Sequence, residues 1–485
     1  MIERIERRTG LMWTQRDQIQ AYQFLRRRLV SALVSADANH PVSPSRRLVL
    51  GTVLGLVATL IITAAFGIIG FLHPGTSSDW KKPGQVVIEK ETGSRFVIAG
   101  DGLLHPVLNF ASARLLAGGD GSKTTTVAAK QLASVGRGAQ LGIVGAPDSL
   151  PSAGRITAGP LTVCSQLAAD QPAAAGPLTV LRWASPVPGR LLDADQALLV
   201  TDGTDLELLD GGYRFRVPGT GQAAALGLSG QSAVRVSPAW LSAAPAGSDL
   251  DFLSVSGAGN AGQKVGGTSV PVGSVLVVSS PALHAGTGEF YLVLKAGIAS
   301  ITPVQAQLAL SDPANRAAGL PGKPVTITAD QLANVRTATL PDRLGSTARQ
   351  LATVPQLVSL PAGSAVCLLQ GDSGYAAEVG AQGVDAATGA RAPAAPGGPL
   401  VADRIAIPAG TGALVSDRDP GAAGNLYLVT DDGIKYPISS AAAQTALGFG
   451  KLSPVVLSAA SLALLPSGPV LDPAAAQQVV VAAAK

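Results

Sequence analysis

Apolar and polar positions follow three rhythms along this chain of 485 residues. Ile19, Tyr22, Leu25, Leu29 and Leu33 recur at steps of three or four, which predicts an amphipathic helix. Thr14-Gln-Arg-Asp17 precedes it and reads as a capping box with Asp in place of Glu or Gln. From Leu48 to Leu72 the alternation stops: 25 residues carry no charge. At about 1.5 Å per residue that run makes a helix of roughly 37 Å, enough to cross a hydrocarbon layer of about 30 Å with some tilt. Beyond about residue 83, short β-branched runs alternate with Gly, Asp and Pro turns and with Ala-rich stretches. That pattern predicts hairpins and short helices, an α+β fold.

Within this outer region one pattern recurs four times: an extended run, a Gly turn, apolar residues and Pro. The copies are Arg95 to Pro106, Ala197 to Pro218 (stretched), Phe290 to Pro303 and Leu426 to Pro437. Each reads as a hairpin, followed by an Ala-rich helix, a strand and a Leu-rich turn, as in Pro454-Val-Val-Leu-Ser-Ala-Ala-Ser-Leu462. Copies start at Phe96, Leu198, Tyr291 and Tyr427, too unevenly for a solenoid. The intervening segments share Pro-x-Gly, at Pro271-Val-Gly273, Pro361-Ala-Gly363 and Pro408-Ala-Gly410. The expected architecture is a single N-terminal transmembrane helix, then a central β-rich domain from which four small α/β repeat modules project. Its expected boundaries are an arm (1–47), the span (48–72), modules at 83–155, 191–250, 288–350 and 416–474, central segments at 156–190, 251–287 and 351–415, and a tail (475–485).

Charge sharpens the picture. Residues 1–47 hold nine Arg against four acidic residues, a net of +5 in a chain of net +4. The folded outer part therefore lacks the basic excess that nucleic-acid binding needs, and no nucleic-acid partner is expected. An Arg-rich arm and Arg46-Arg47 before the span place the N-terminus in the cytoplasm and everything after about residue 73 outside the cell membrane. A cleaved signal peptide has an apolar core of about 7–15 residues near the N-terminus; this run is longer and starts at position 48. His73-Pro74-Gly75 stops the helix, and Trp80 is expected at the far interface. Cys164 and Cys367 are the chain's two cysteines, both in the outer part, which predicts a disulfide. Two small buried apolar residues are the alternative.

The arm cannot bury its stripe alone, so it lies on lipid or docks on a partner. Its docking residues are Tyr22, Phe24, Leu25, Leu29 and a basic face of Arg26, Arg27 and Arg28. Catalytic motifs fare poorly. Gly257-Ala-Gly259-Asn-Ala-Gly262 fits G-x-G-x-x-G, but Gln-Lys-Val-Gly-Gly-Thr follows where the dinucleotide motif needs a helix. No G-x-x-x-x-G-K-[ST] occurs. Gly371-Asp-Ser373-Gly374 echoes a serine-protease nucleophile segment, yet His105, in Leu-Leu-His-Pro, reads as a strand end, and His284 lacks that family's flanks. Four His and two Cys rule against a multi-ligand zinc site. No catalytic, metal or cofactor residue is expected.

Tyr22-Gln-Phe-Leu-Arg-Arg-Arg-Leu29, Glu89-Lys-Glu-Thr-Gly93 and Leu104-His-Pro-Val-Leu-Asn-Phe-Ala-Ser-Ala-Arg-Leu-Leu116 stand in that order around the span. On these strings the chain resembles EccB, the single-span membrane component of actinobacterial type VII (ESX) secretion systems. The repeats, the Cys pair and the length extend the resemblance over the whole chain. It implies a structural subunit of the inner-membrane secretion channel, assembled with the FtsK/SpoIIIE-type ATPase EccC, with EccD and EccE, and touching the mycosin protease. It also implies self-association of the outer domain and modules like a cell-wall-binding phage-lysin subunit. A wall-binding anchor, and a weak periplasmic ATPase as described for some members, are the alternatives.

Overall fold

The computed structural model describes residues 14–36, 44–72, 78–82, 84–119, 123–167, 176–184, 189–278, 288–340, 348–361, 363–371, 374–381, 390–391, 400–417 and 424–480. His73-Pro74-Gly75, His284 and the pair Asp372-Ser373 lie outside them. The chain divides into two units, Met1–Asp79 and Trp80–Lys485.

The first unit contains helix α1 (Gln15–Ser35) and helix α2 (Pro44–Leu72). Asp17 accepts the Thr14 backbone N–H at 3.1 Å and the Thr14 hydroxyl at 2.6 Å, closing the N-terminal turn of α1 as the sequence predicts. These bonds, hydroxyl first, hold the exposed Asp17 carboxyl below the usual range. Within α2, Val49–Ile69 is long and apolar enough to cross a membrane and is exposed throughout.

The second unit is sheet-rich. Four of its sheets share one order, third strand–second–first–fourth, with the fourth strand parallel to the first and the other neighbours antiparallel. Their first strands are Val86–Glu89, Gln196–Thr201, Val275–Val278 and Gly412–Asp417. In each, a helix follows the third strand (Phe110–Ala117, Thr220–Ala225, Pro303–Ser311, Ala441–Ala446) and a short one follows the fourth. The parallel fourth strand needs such a crossover, since a tight turn cannot return the chain in the same direction.

A seven-stranded sheet stands apart from these four. Its order is Ala390–Arg391, Arg404–Ala406, Leu178–Trp183, Leu161–Gln166, Ala365–Gly371, Gly374–Ala381, Arg190–Leu191. Segments remote in sequence therefore meet at its middle, where Leu161–Gln166 runs antiparallel to Ala365–Gly371.

The structure moves several expected boundaries. Val275–Val278 and most of Gly412–Asp417, read as central segments, are first strands of small sheets. Among the described residues, 251–287 gives no strand to the seven-stranded sheet; it forms the hairpin Gln263–Val265/Thr268–Val270 and then that first strand. Gln356–Leu357 extends the second small sheet rather than the central one, pairing in parallel with Gln196–Ala197. The second copy of the repeat is not stretched: its hairpin is Leu206–Asp210/Tyr213–Val217, turning at Gly211-Gly212. The run from Ala197 is the preceding strand, itself paired antiparallel with Leu206–Asp210 across the turn at 202–205.

The Pro-x-Gly segments are four-residue turns. The Pro carbonyl accepts the N–H three residues on (Ser274 to Pro271 at 3.2 Å, Ser364 to Pro361 at 3.2 Å, Thr411 to Pro408 at 3.1 Å). The Gly takes the positive φ of a type II turn, +89°, +80° and +70° respectively.

Trp80 also departs from expectation. It is 4% exposed and packs with Phe96, Ile98, Leu104, Val127 and Leu132 in the core of the first small sheet, with the Lys81 ammonium 5.4 Å from its ring. An indole gains more from complete burial there than from an interfacial position.

Trp240 fastens the second small sheet to the central one. It is fully buried, and its indole N–H donates to the Val163 carbonyl at 2.9 Å. Its helix is capped by Ser237, whose backbone N–H donates to Ser165 Oγ at 2.9 Å. Trp240→Phe keeps most of the ring but orphans that bond, so unfolding free energy should drop by about 1–2 kcal/mol. Urea titration checks this: a midpoint equal to that of the parent would show the bond adds nothing.

Candidate functional site

α1 presents the most exposed apolar surface outside the candidate span. Ile19, Tyr22, Leu25, Leu29 and Leu33 fall within about 120° of the helix circumference, and Tyr22, Leu25 and Leu29 are 69%, 64% and 62% exposed. An exposed stripe of this width marks an interaction surface. Phe24 lies on the opposite side, where the Arg28 guanidinium sits 5.7 Å from its ring. Arg26, Arg27 and Arg28 do not form one face: consecutive residues fan about 100° apart, so together they span about 200°. Arg26 falls within the arc of the apolar stripe, between Ile19 and Leu33, and Arg28 joins Phe24 behind it.

Cys164 and Cys367 are direct register partners on the two middle strands of the central sheet. Their sulfurs lie 2.10 Å apart, at disulfide distance, and both residues are fully buried with Val180, Ala365 and Ala381. The link joins positions 203 residues apart, on neighbouring strands through which the two halves of the outer region share the central sheet.

The motifs tested for catalysis sit in ordinary backbone. Gly371 and Gly374 face each other at the end of the hairpin Ala365–Gly371/Gly374–Ala381. The G-x-G-x-x-G string, 257–262, begins in a turn at 256–259 and runs into the strand Gln263–Val265, with no helix to receive a pyrophosphate. His105 is buried on its strand, within hydrogen-bond reach of the exposed Asp101 and the Ala139 carbonyl, in a different sheet from the Gly371–Gly374 hairpin end. Among the described residues no group of three or more His, Cys, Asp or Glu is placed to hold a metal ion. Sequence reading missed the Trp240–Val163 fastening; Ser237-Pro238, an N-cap followed by Pro, was its available signal.

Comparison with known proteins agrees with the fold. The model of the family described as "Type VII secretion system ESX-1, transport TM domain B" matches residues 11–483. The ESX-5 secretion system ATPase EccB5 of Mycobacterium marinum is 31% identical over 340 residues, covering 67% of this chain and 64% of that protein. The chain thus aligns with just under two thirds of the length of its ESX-5 relatives. The ESX-3 secretion system ATPase EccB3 of Mycobacterium tuberculosis is 29% identical over 454 residues, covering 88% of this chain and 80% of that protein. Among solved structures, a chain of an intact ESX-5 inner membrane complex superposes with TM-score 0.62 at 25% identity, covering 98% of both chains. The EccB3 dimer from the ESX-3 core complex gives 0.59 at 26% identity, covering 81% of this chain and 99% of that one. With the family matched from residue 11 to 483 and the fold shared end to end, this chain belongs to the EccB family of type VII secretion systems.

Proposed function

We propose that the chain is a structural, non-enzymatic subunit of a type VII secretion complex in the cell membrane. In this reading α2 spans the bilayer once, the Arg-rich arm is cytoplasmic and the second unit is extracytoplasmic. The four like-ordered sheets are four repeat modules around the central sheet. α1 docks on cytoplasmic parts of EccC, EccD and EccE-like partners, while the outer unit self-associates and meets the mycosin protease. The observation that carries the reading is α1 itself: a helix with a broad, exposed apolar stripe and four arginines, next to a helix long enough to span.

Affinity purification of the tagged full chain from mild-detergent membranes tests it. An FtsK-type ATPase and a multi-span EccD-like protein should be recovered with it. Recovery of the chain alone, under conditions that keep other complexes intact, would point instead to a wall-binding anchor, which sedimentation with peptidoglycan would reveal. The relatives' names carry the word ATPase, so the purified full chain should also be assayed with ATP. Turnover abolished by a single substitution in this chain would overturn the non-enzymatic part of the reading.

A further inference from the structure

The four small sheets pack in two pairs. The second and third share one core, with Leu208 and Phe215 on one side and Leu292 and Leu308 on the other. The fourth and first share another, with Leu428 and Tyr436 facing Ala111 and Leu115. The pairs are built alike. Leu250 N–H donates to the Arg216 carbonyl at 2.8 Å, Leu471 N–H donates to the Pro437 carbonyl at 2.7 Å, and an Asp follows each leucine. After Asp472 the chain forms the short helix Pro473–Ala476, which packs on Phe110–Ala117 and buries Ala476 completely. After Asp251 no helix forms, and a cleft of about 610 Å³ stays open where this segment faces the helix Pro303–Ser311.

That size suits a small molecule, and the lining is rich in acceptors. Gln305 and Asp312 line the cleft while only 8% and 3% exposed. Its charged side chains are Asp249, Asp251 and Asp312; among the described residues only Asp249 has a cation, Arg216 at 2.6 Å. Asp312 accepts the Ser254 hydroxyl and, at 2.8 Å, the Ala314 N–H. Asp251 accepts the Gln222 amide at 2.8 Å and the Phe252 N–H at 2.7 Å, both on one oxygen. A carboxylate has about four acceptor sites, so each keeps spare capacity. A carboxylate as buried as Asp312 is costly without a cation beside it. Phe252, Leu308 and Leu351 give the same cleft an apolar wall.

We propose that this cleft binds a small organic amine. The ammonium supplies the positive charge that Asp312 and Asp251 lack, and three N–H donors for their spare acceptor sites. An alkyl stem lies on Phe252 and Leu308. The fourth and first sheets need no such guest, because the helix Pro473–Ala476 packs their interface. The site is separate from the α1 arm and needs none of the partners proposed above.

Isothermal titration of the full chain in non-ionic detergent with cadaverine tests this. A dissociation constant of about 1 mM or tighter is expected. Pentanediol, uncharged, and glutarate, a dianion, match cadaverine in length and should bind at least about tenfold more weakly. Asp312→Asn keeps an oxygen for the Ala314 N–H but removes the charge, and should weaken cadaverine binding about tenfold or more. Should that variant not fold, Asp251→Asn, at an exposed position, takes its place and should weaken binding about threefold. No saturable heat at about ten times the expected dissociation constant, pentanediol binding as tightly as cadaverine, or unchanged affinity in the folded Asp variants would each overturn the proposal.

Discussion

Replacing Cys164 and Cys367 with Ala should lower the melting temperature of the second unit by roughly 6 °C. The two strands they join come from segments 203 residues apart, so the unfolded chain gains the freedom of a very long loop when the link is lost. The chain-entropy account puts this near 5 kcal/mol, an upper figure. Spread over a unit of about 400 residues at about 2 cal/mol/K per residue, it corresponds to the stated shift. Both residues sit at 0% exposure among Val180, Ala365 and Ala381, so Ala at both positions leaves a small void and no buried hydroxyl. Non-reducing scanning calorimetry of the full chain gives the answer. A melting temperature within a degree of the parent would mean that the strand pairing, not the link, holds the halves together. The matched single Cys164→Ser variant should be no more stable, because it adds an orphaned hydroxyl and leaves Cys367 free.

The elements with a local signature were legible. The span announces itself by length and lack of charge, the capping box by Thr14 and Asp17, and the first, third and fourth hairpin turns by Gly. Pro-x-Gly was recognised as a recurring string, and its role as a strand-starting turn emerged only with the backbone, because the Gly φ decides it. What stayed hidden was pairing at a distance. Nothing in Val275–Val278 or Gly412–Asp417 marks them as belonging to small sheets; buried strands of either sheet read alike as apolar runs. The Ala197 run is an arm of the preceding hairpin, pairing antiparallel with Leu206–Asp210, so the second copy was matched one hairpin too early. Trp80 was misplaced because flanking a span and filling a core call for the same amphipathic ring. The α1 surface was legible as a stripe, whereas the fan of Arg26, Arg27 and Arg28 required counting 100° per residue.

Leu25→Asp with Leu29→Asp should abolish recovery of partner proteins while the chain still enters the membrane. Under the proposed docking, each Leu contributes about 2 kcal/mol when its exposed side chain is buried against a partner. Each Asp would then have to be desolvated without a counter-charge, which costs at least as much again. A loss of 6 kcal/mol or more weakens binding by over about ten-thousand-fold, which no mild-detergent purification survives. Insertion should be untouched, because Val49–Ile69 carries the apolar length by itself. The same substitution separates docking on protein from resting on lipid. On a bilayer surface the loss would show as release of the arm from anionic vesicles with partners still recovered through the span and the second unit. Phe24→Ala serves as the internal comparison: it lies behind the stripe beside Arg28, so partner recovery should remain near that of the parent. If Phe24→Ala disrupted assembly as thoroughly as the Leu pair, the binding surface would have to wrap the helix, and the one-sided stripe would not be the contact.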